Sequence, residues 1–178
     1  MDFKENLKLN QSARQINTEY YNVTQISVFG IGIITKKNNV NSKMFYGYLS
    51  ESTIHDSSYV GDCLNNFLSS NNFKELNINN IYFWLDNGPM HFKTKEFIGI
   101  IYDLQNNYSN LNINLHFFAP YHGKSIVVSH FSLISNLWNQ KSMNLIESPK
   151  SIQNMINLIN EGIIEINKHN ILEKKKLQ

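Results

Sequence analysis

A chain of 178 residues with one cysteine, three prolines and eight glycines is neither stapled nor segmented. Its single cysteine, Cys63, cannot close a disulfide or build a cysteine zinc site within one chain. That usage predicts a reducing, intracellular setting. No stretch rich in Gly, Pro or Ser reads as a linker, and no internal repeat is present. No apolar run approaches the ~20 residues of a membrane span, and the N-terminus has no signal-peptide h-region. A net charge of +2 is too small to predict nucleic-acid binding by itself. The basic residues are local instead: Lys36-Lys37, Lys93 with Lys95, Lys124, and Lys174-Lys175-Lys176. Each of these also reads as ordinary solvated surface.

What is present is apolar and aromatic, at 42% and 12% of residues, enough for one domain with a proper core. Residues 1–9 alternate imperfectly and read as a short strand, and the polar stretch 10–22 reads as a loop. "QISVFGIGIIT" (25–35) and "KMFYGYLSE" (43–51) are runs of strand formers separated by polar turn material, which predicts a hairpin. The period then changes. Tyr59, Val60, Cys63, Leu64, Phe67 and Leu68 recur at helical spacing, with Asp56 or Ser57 placed to cap.

"NIYFWL" (80–85) is a continuous apolar run of the kind expected for a central strand buried on both faces. A second helical stripe follows: Phe97, Ile98, Ile101, Leu104 and Tyr108. "NINLHFFA" (112–119) is another strand, and Phe131, Ile134, Leu137 and Trp138 mark a third helix. Ser148-Pro149 reads as the start of a last helix, with a stripe from Ile152 to Ile166. The predicted order is β-β-β-α-β-α-β-α plus a C-terminal helix, an α/β mixed sheet covered by helices. The ribonuclease H-like fold has this order. On that reading residues 1–147 form the core, and 148–178 are a helical extension packed on the same domain.

Several residues can carry chemistry. In open α/β sheets ligands bind beyond the carboxyl ends of the strands, and Asp86 follows such an end. If the first strand neighbours this one, Asp2 projects close by, and two carboxylates there suit a hard cation such as Mg²⁺. The competing reading has Asp86 capping the Asn87-Gly88 turn and Asp2 solvated. His91 and Lys93 either flank a nucleic-acid path or form a solvated helix start. His122, Gly123, Lys124 and Ser125 either present a cation and amides to phosphate or make an ordinary strand-to-helix connection. They are not a P-loop, because G-x-x-x-x-G-K is absent. "GIGIIT" is no dinucleotide fingerprint, and the histidines lack zinc-site spacing. His130 reads as structural, Trp84 and Trp138 as core, and Cys63 as inert.

"FWLDNGPMHFKTKEF" (83–97), followed by "LHFFAPYHGKSIVVSHFSLIS" (115–135), resembles the core of eukaryotic DDE-type transposases. Those proteins read approximately W-x-D-x-G-P-x-H-F and F-F-x-x-x-H-G-K-S-x-x-D-x-H-F. "MDFKENLKL" resembles their first catalytic strand. The resemblance implies a ribonuclease H-like core in which Asp2 and Asp86 are metal-binding carboxylates for Mg²⁺ or Mn²⁺. It implies metal-dependent cleavage and strand transfer at DNA phosphodiesters. His91, Lys93, His122 and Lys124 would contact the DNA backbone. A nuclear setting would follow for action on chromosomal DNA, as would a homo-oligomer assembled on DNA ends. The third acid of the pattern is missing: Val128 stands where it is expected, and Glu147 is a poor substitute. The expectation is therefore a truncated, degenerate copy with impaired catalysis. The alternative is an inactive module that binds nucleic acid or protein.

Overall fold

The computed structural model describes residues 1–9, 13, 21, 23–37, 39–86, 92–119, 126–145, 149 and 151–176. In chain order it has β1 (Asp2–Lys8), β2 (Gln25–Lys37), β3 (Val40–Ser50), α1 (Ser57–Ser69) and a one-turn α2 (Asn71–Lys74). These are followed by β4 (Asn80–Leu85), α3 (Lys95–Asn107), β5 (Asn112–Phe117), α4 (Ile126–Met143) and α5 (Ile152–Lys176). The protein is a mixed α/β chain, as its periodicities predict. Its strands form a three-stranded sheet, β1-β2-β3, and a parallel pair, β4-β5. The tight connection from β2 to β3 passes through Asn39 at φ 62°. This is the left-handed region, which asparagine tolerates better than most residues.

The chain divides into two compact units. The first comprises Met1–Phe3, Phe29–Tyr48 and Ile54–Val127. Its core gathers Phe29 and Ile31 from β2, Val60, Leu64, Phe67 and Leu68 from α1, Phe83 and Leu85 from β4, and Phe97, Ile101 and Leu104 from α3. The helical stripes face inward as their spacing requires, except Ile98, which is exposed. Asp56 caps α1 by accepting from the Tyr59 amide at 2.8 Å. Gly61 lies on the buried side of α1, where a Cβ would sit 2.8 Å from Ile100 Cγ2 of α3. The close approach of these helices therefore depends on the missing side chain.

β4 corrects one expectation. It is buried on one face only: Phe83 and Leu85 are inside, whereas Tyr82 and Trp84 are 60% and 50% exposed. In the β4-β5 register Tyr82 lies opposite Asn114 and Trp84 opposite His116, so these residues share the outer face. There the Trp84 ring stacks on His116 at 4.9 Å and lies 5.4 Å from Phe118. Aromatic residues covering one another laterally give a strand the same continuous apolar run as burial on both faces does. Trp84 is thus a surface aromatic, not a core residue.

The second unit comprises Lys4–Val28, Leu49–Thr53 and Val128–Gln178. Its buried residues are Leu7, Leu9, Ile26 and Val28 of the strands and their margins, Phe131, Ile134, Leu137 and Trp138 of α4, and Met155 and Ile159 of α5. Trp138 is fully buried and its indole Nε1 donates to the Lys8 carbonyl at 2.9 Å, which satisfies a donor that burial would otherwise penalise. The α5 start also differs from expectation. Helix begins at Ile152, with the Ser151 hydroxyl accepting from the Asn154 amide at 3.2 Å, and Ser148 lies outside the described residues. Lys141 of α4 pairs with Glu165 of α5 at 2.7 Å, an exposed contact of small weight.

Two measurements test this packing. Gly61→Ala gains helix propensity, about 1 kcal/mol, but forces a methyl against Ile100; overpacking of that kind costs about 1–3 kcal/mol. Gly61→Ala should therefore lower the urea midpoint, and adding Ile100→Leu, which removes the opposing branch, should restore it. Burial pushes the Cys63 thiol from its ordinary 9.0 up to about 11, against an opposing side-chain hydrogen bond with Tyr59 and with a smaller upward push from nearby Asp62. Folded protein should accordingly resist a disulfide reagent at pH 8 and react only after unfolding. The folded state holds this proton more tightly than the unfolded one. Its stabilising contribution is thus complete below pH 9 and is lost as pH rises towards 11, which a denaturation series at alkaline pH would read.

Candidate nucleic-acid and metal site

At one end of the first unit the start of β1 meets the finish of β4. The nitrogen of Met1 donates to the Trp84 carbonyl at 2.8 Å. Asp2 is the next residue of β1, and Asp86 lies two residues beyond Trp84, immediately after β4. This contact brings the two strand ends that carry the acids side by side. Asp2 is half-buried, and its Oδ1 accepts from the Phe3 amide at 2.8 Å; Asp86 is exposed.

Phe3 anchors this end. Its ring lies 4.9 Å from Phe29, 6.1 Å from Tyr59 and 6.4 Å from Phe92. His55 stacks on it at 4.3 Å, with the planes 15° apart. His55 is a titratable side chain beside the Asp2 strand that sequence reasoning missed. Its one sequence signal was a position just ahead of the α1 cap, which says nothing of its stacking partner.

Two helices start here. Thr94 caps α3 by accepting from the Phe97 amide at 3.0 Å, and its hydroxyl also lies 2.7 Å from Ser57 Oγ at the start of α1. The hydroxyl pair ties the two N-termini together. Each carries a partial positive charge from its unsatisfied amides, which the Asp56 carboxylate at α1 and Glu96 in the first turn of α3 already answer. Lys93, one residue ahead of the α3 cap, is exposed, and its ammonium lies 5.0 Å from the centroid of the Phe117 ring at the end of β5. That cation–π contact holds a positive charge beside the carboxyl ends of β4 and β5.

Of the expected site residues, the structure places Asp2, Asp86 and Lys93 in this unit. His91, His122 and Lys124 lie outside the described residues, as does Glu147. Val128 is on the first turn of α4, 39% exposed, and its carbonyl accepts from the Ser132 hydroxyl at 3.2 Å. His130, on the same helix, has its pKa lowered by burial. Among the described residues no group of three or more His, Cys, Asp or Glu is gathered as a metal cluster. None of the helices there is long and apolar enough to cross a membrane.

The Ser57–Thr94 pair is open to test. Thr94→Ala removes a cap worth about 0.5–2 kcal/mol together with the contact to the Ser57 hydroxyl, whereas Thr94→Ser keeps both roles. Chemical denaturation should show the first variant destabilised by an amount within that range and the second close to the parent.

A family model described as a domain of unknown function (DUF8701) matches residues 1–177, and the chain belongs to that family. No curated protein and no solved structure is matched.

Proposed function

We propose that this member of the DUF8701 family is a transposase-derived, ribonuclease H-like domain that handles DNA, with a catalytic set reduced to two carboxylates. The observation that carries the reading is the bond from Met1 to the Trp84 carbonyl, because it sets Asp2 and Asp86 on adjoining strand ends. The order of elements, three strands and then alternating helices and strands, agrees with a ribonuclease H-like core. Both acids lie at the carboxyl end of β4, where α/β sheets place their ligands.

The donors fit a hard divalent cation in kind. Asp86 is solvent-accessible, and Asp2 is half-buried with its Oδ1 accepting from the Phe3 amide. Mg²⁺ needs only one or two protein carboxylates when water and phosphate complete its shell. Such an ion, when bound, supplies charge stabilisation at the phosphoryl oxygens and acidifies a bound water. The chain's own contribution is placement. β4 fixes Asp86, the hydrophobic anchoring of Phe3 fixes Asp2, and Lys93 favours a phosphate backbone alongside them. The charge of +2 argues for contact with a few phosphates rather than tight non-specific binding.

Val128 favours a second reading, an inactive module that binds nucleic acid or protein. A valine cannot ligate a cation, and a small hard-cation site that loses one of its acids binds its second ion weakly or out of place. The test is nicking of supercoiled plasmid with Mn²⁺. The wild-type chain should nick feebly or not at all, Val128→Asp should gain nicking, and Val128→Asp combined with Asp86→Ala should lose it. Folded Val128→Asp protein that neither nicks nor retards DNA at low salt would remove the transposase reading.

A further inference from the structure

β3 runs for 11 residues, Val40–Ser50, about twice the usual strand length. In the sheet order β1-β2-β3 its one neighbour among the described strands is β2, which also separates it from β1 and Met1. A long outer strand offers a row of backbone N–H and C=O groups to another strand. Proteins usually guard such an edge with proline, lysine or a bulge. β3 has no proline, and Lys43 is its one charged residue. From Met44 to Leu49 it reads Met-Phe-Tyr-Gly-Tyr-Leu.

The two faces of the strand differ. Tyr46 and Tyr48 turn towards α1: the Tyr46 ring lies 5.0 Å from Phe67, and the Tyr48 hydroxyl donates to Asn66 Oδ1 at 3.2 Å. Alternation puts Lys43, Phe45, Gly47 and Leu49 on the other face, and Glu51, just past the strand end, is next in the same series. Lys43, Gly47 and Glu51 are exposed. The series is symmetric about Gly47: Phe45 and Leu49 stand nearest it on either side, then Lys43 and Glu51. Neither Lys43 nor Glu51 has an ion pair among the described residues.

We propose that β3 is a self-association edge: two copies of the chain pair antiparallel through β3 about a two-fold axis at Gly47, an isologous contact that joins their sheets. In that pairing each residue faces the one equally far beyond the axis. Lys43 therefore meets Glu51 of the partner subunit, and Phe45 meets Leu49 of the partner subunit, each twice per dimer. At the axis the two backbones approach to about 4.5–5.5 Å between Cα atoms, and glycine brings no side chain to collide with its own copy. Glycine otherwise weakens a strand interior, and it marks places where another backbone comes close. Main-chain hydrogen bonds give the affinity, and the charges select the register. An axis moved to Phe45 would set Lys43 against Gly47 and leave Glu51 without its cation. A sequence complementary to itself in this register sets a second copy ahead of a foreign strand. The inference is independent of the DNA-handling reading.

Sedimentation velocity on the full chain at low salt, over a concentration series reaching the millimolar range, is expected to show a monomer–dimer equilibrium. Amide exchange within Met44–Leu49 should slow as the dimer forms. Lys43→Glu and Glu51→Lys change exposed side chains, and circular dichroism checks that each variant folds. Either one sets like charges opposite each other twice per dimer and should weaken association roughly 10-fold. Mixed in equal amounts, the two variants should associate again, because each copy then meets the opposite charge at both positions. The double reversal Lys43→Glu with Glu51→Lys should dimerise like the parent. A parent chain that stays monomeric throughout the series overturns the proposal. So does a dimer that the single reversals leave at full strength, or a loss of association that mixing fails to restore.

Discussion

Where Met1 approaches β4, one hydrogen bond organises most of the chemistry of the first unit. The donor at Met1 and the acceptor at Trp84 are 83 residues apart in sequence, and a bond of this kind contributes only about 1 kcal/mol net. Its persistence rests on apolar burial around it. Met1 is itself buried, and Phe3 packs among Phe29, Tyr59, His55 and Phe92. With the hydrophobic anchor supplying the energy and the hydrogen bond supplying register, the first strand reaches the second sheet at a defined point. Two acids end up on adjoining strand ends in front of that point.

At the same end of the unit two helix starts meet acidic side chains, Asp56 at α1 and Glu96 in the first turn of α3. Asp56 and Thr94 cap the first and third helices, and the Ser57–Thr94 contact keeps their starts together. Lys93 adds a full charge held against Phe117. A protein of nearly balanced charge can favour an anion locally by this means, because the Phe117 ring fixes where the Lys93 ammonium sits. The proposed DNA contact and the modest net charge are therefore compatible.

The outer face of the β4-β5 pair shows how one sequence pattern serves two environments. "IYFWL" satisfies the expectation for a doubly buried strand, yet Tyr82 and Trp84 spend about half their surface on solvent. Their partners on that face are His116, Phe118 and the asparagines of β5. Alternation of apolar with polar residues is the usual sign of a one-sided strand. An outer face built of aromatic rings removes that sign, because Tyr and Trp tolerate half-exposure while counting as apolar.

The elements themselves were legible in the sequence, since hydrophobic spacing is a local property and decides helix against strand wherever a stripe is long. Phe131, Ile134, Leu137 and Trp138 announced their helix, and Asp56 announced its cap. Asp86 could be placed at a strand end for the same reason. The start of the last helix moved to Ser151, because caps compete locally among several short polar residues. Nothing local, however, relates residue 1 to residue 84 or residue 3 to residue 55. Those contacts depend on which strand edges face each other, and that is settled by the packing of Phe67, Phe73 and their neighbours across the unit. The sequence by itself determined which segments are strands and helices and which faces are apolar; the neighbourhood of Asp2 was decided only when long-range burial chose among the ways those faces can meet.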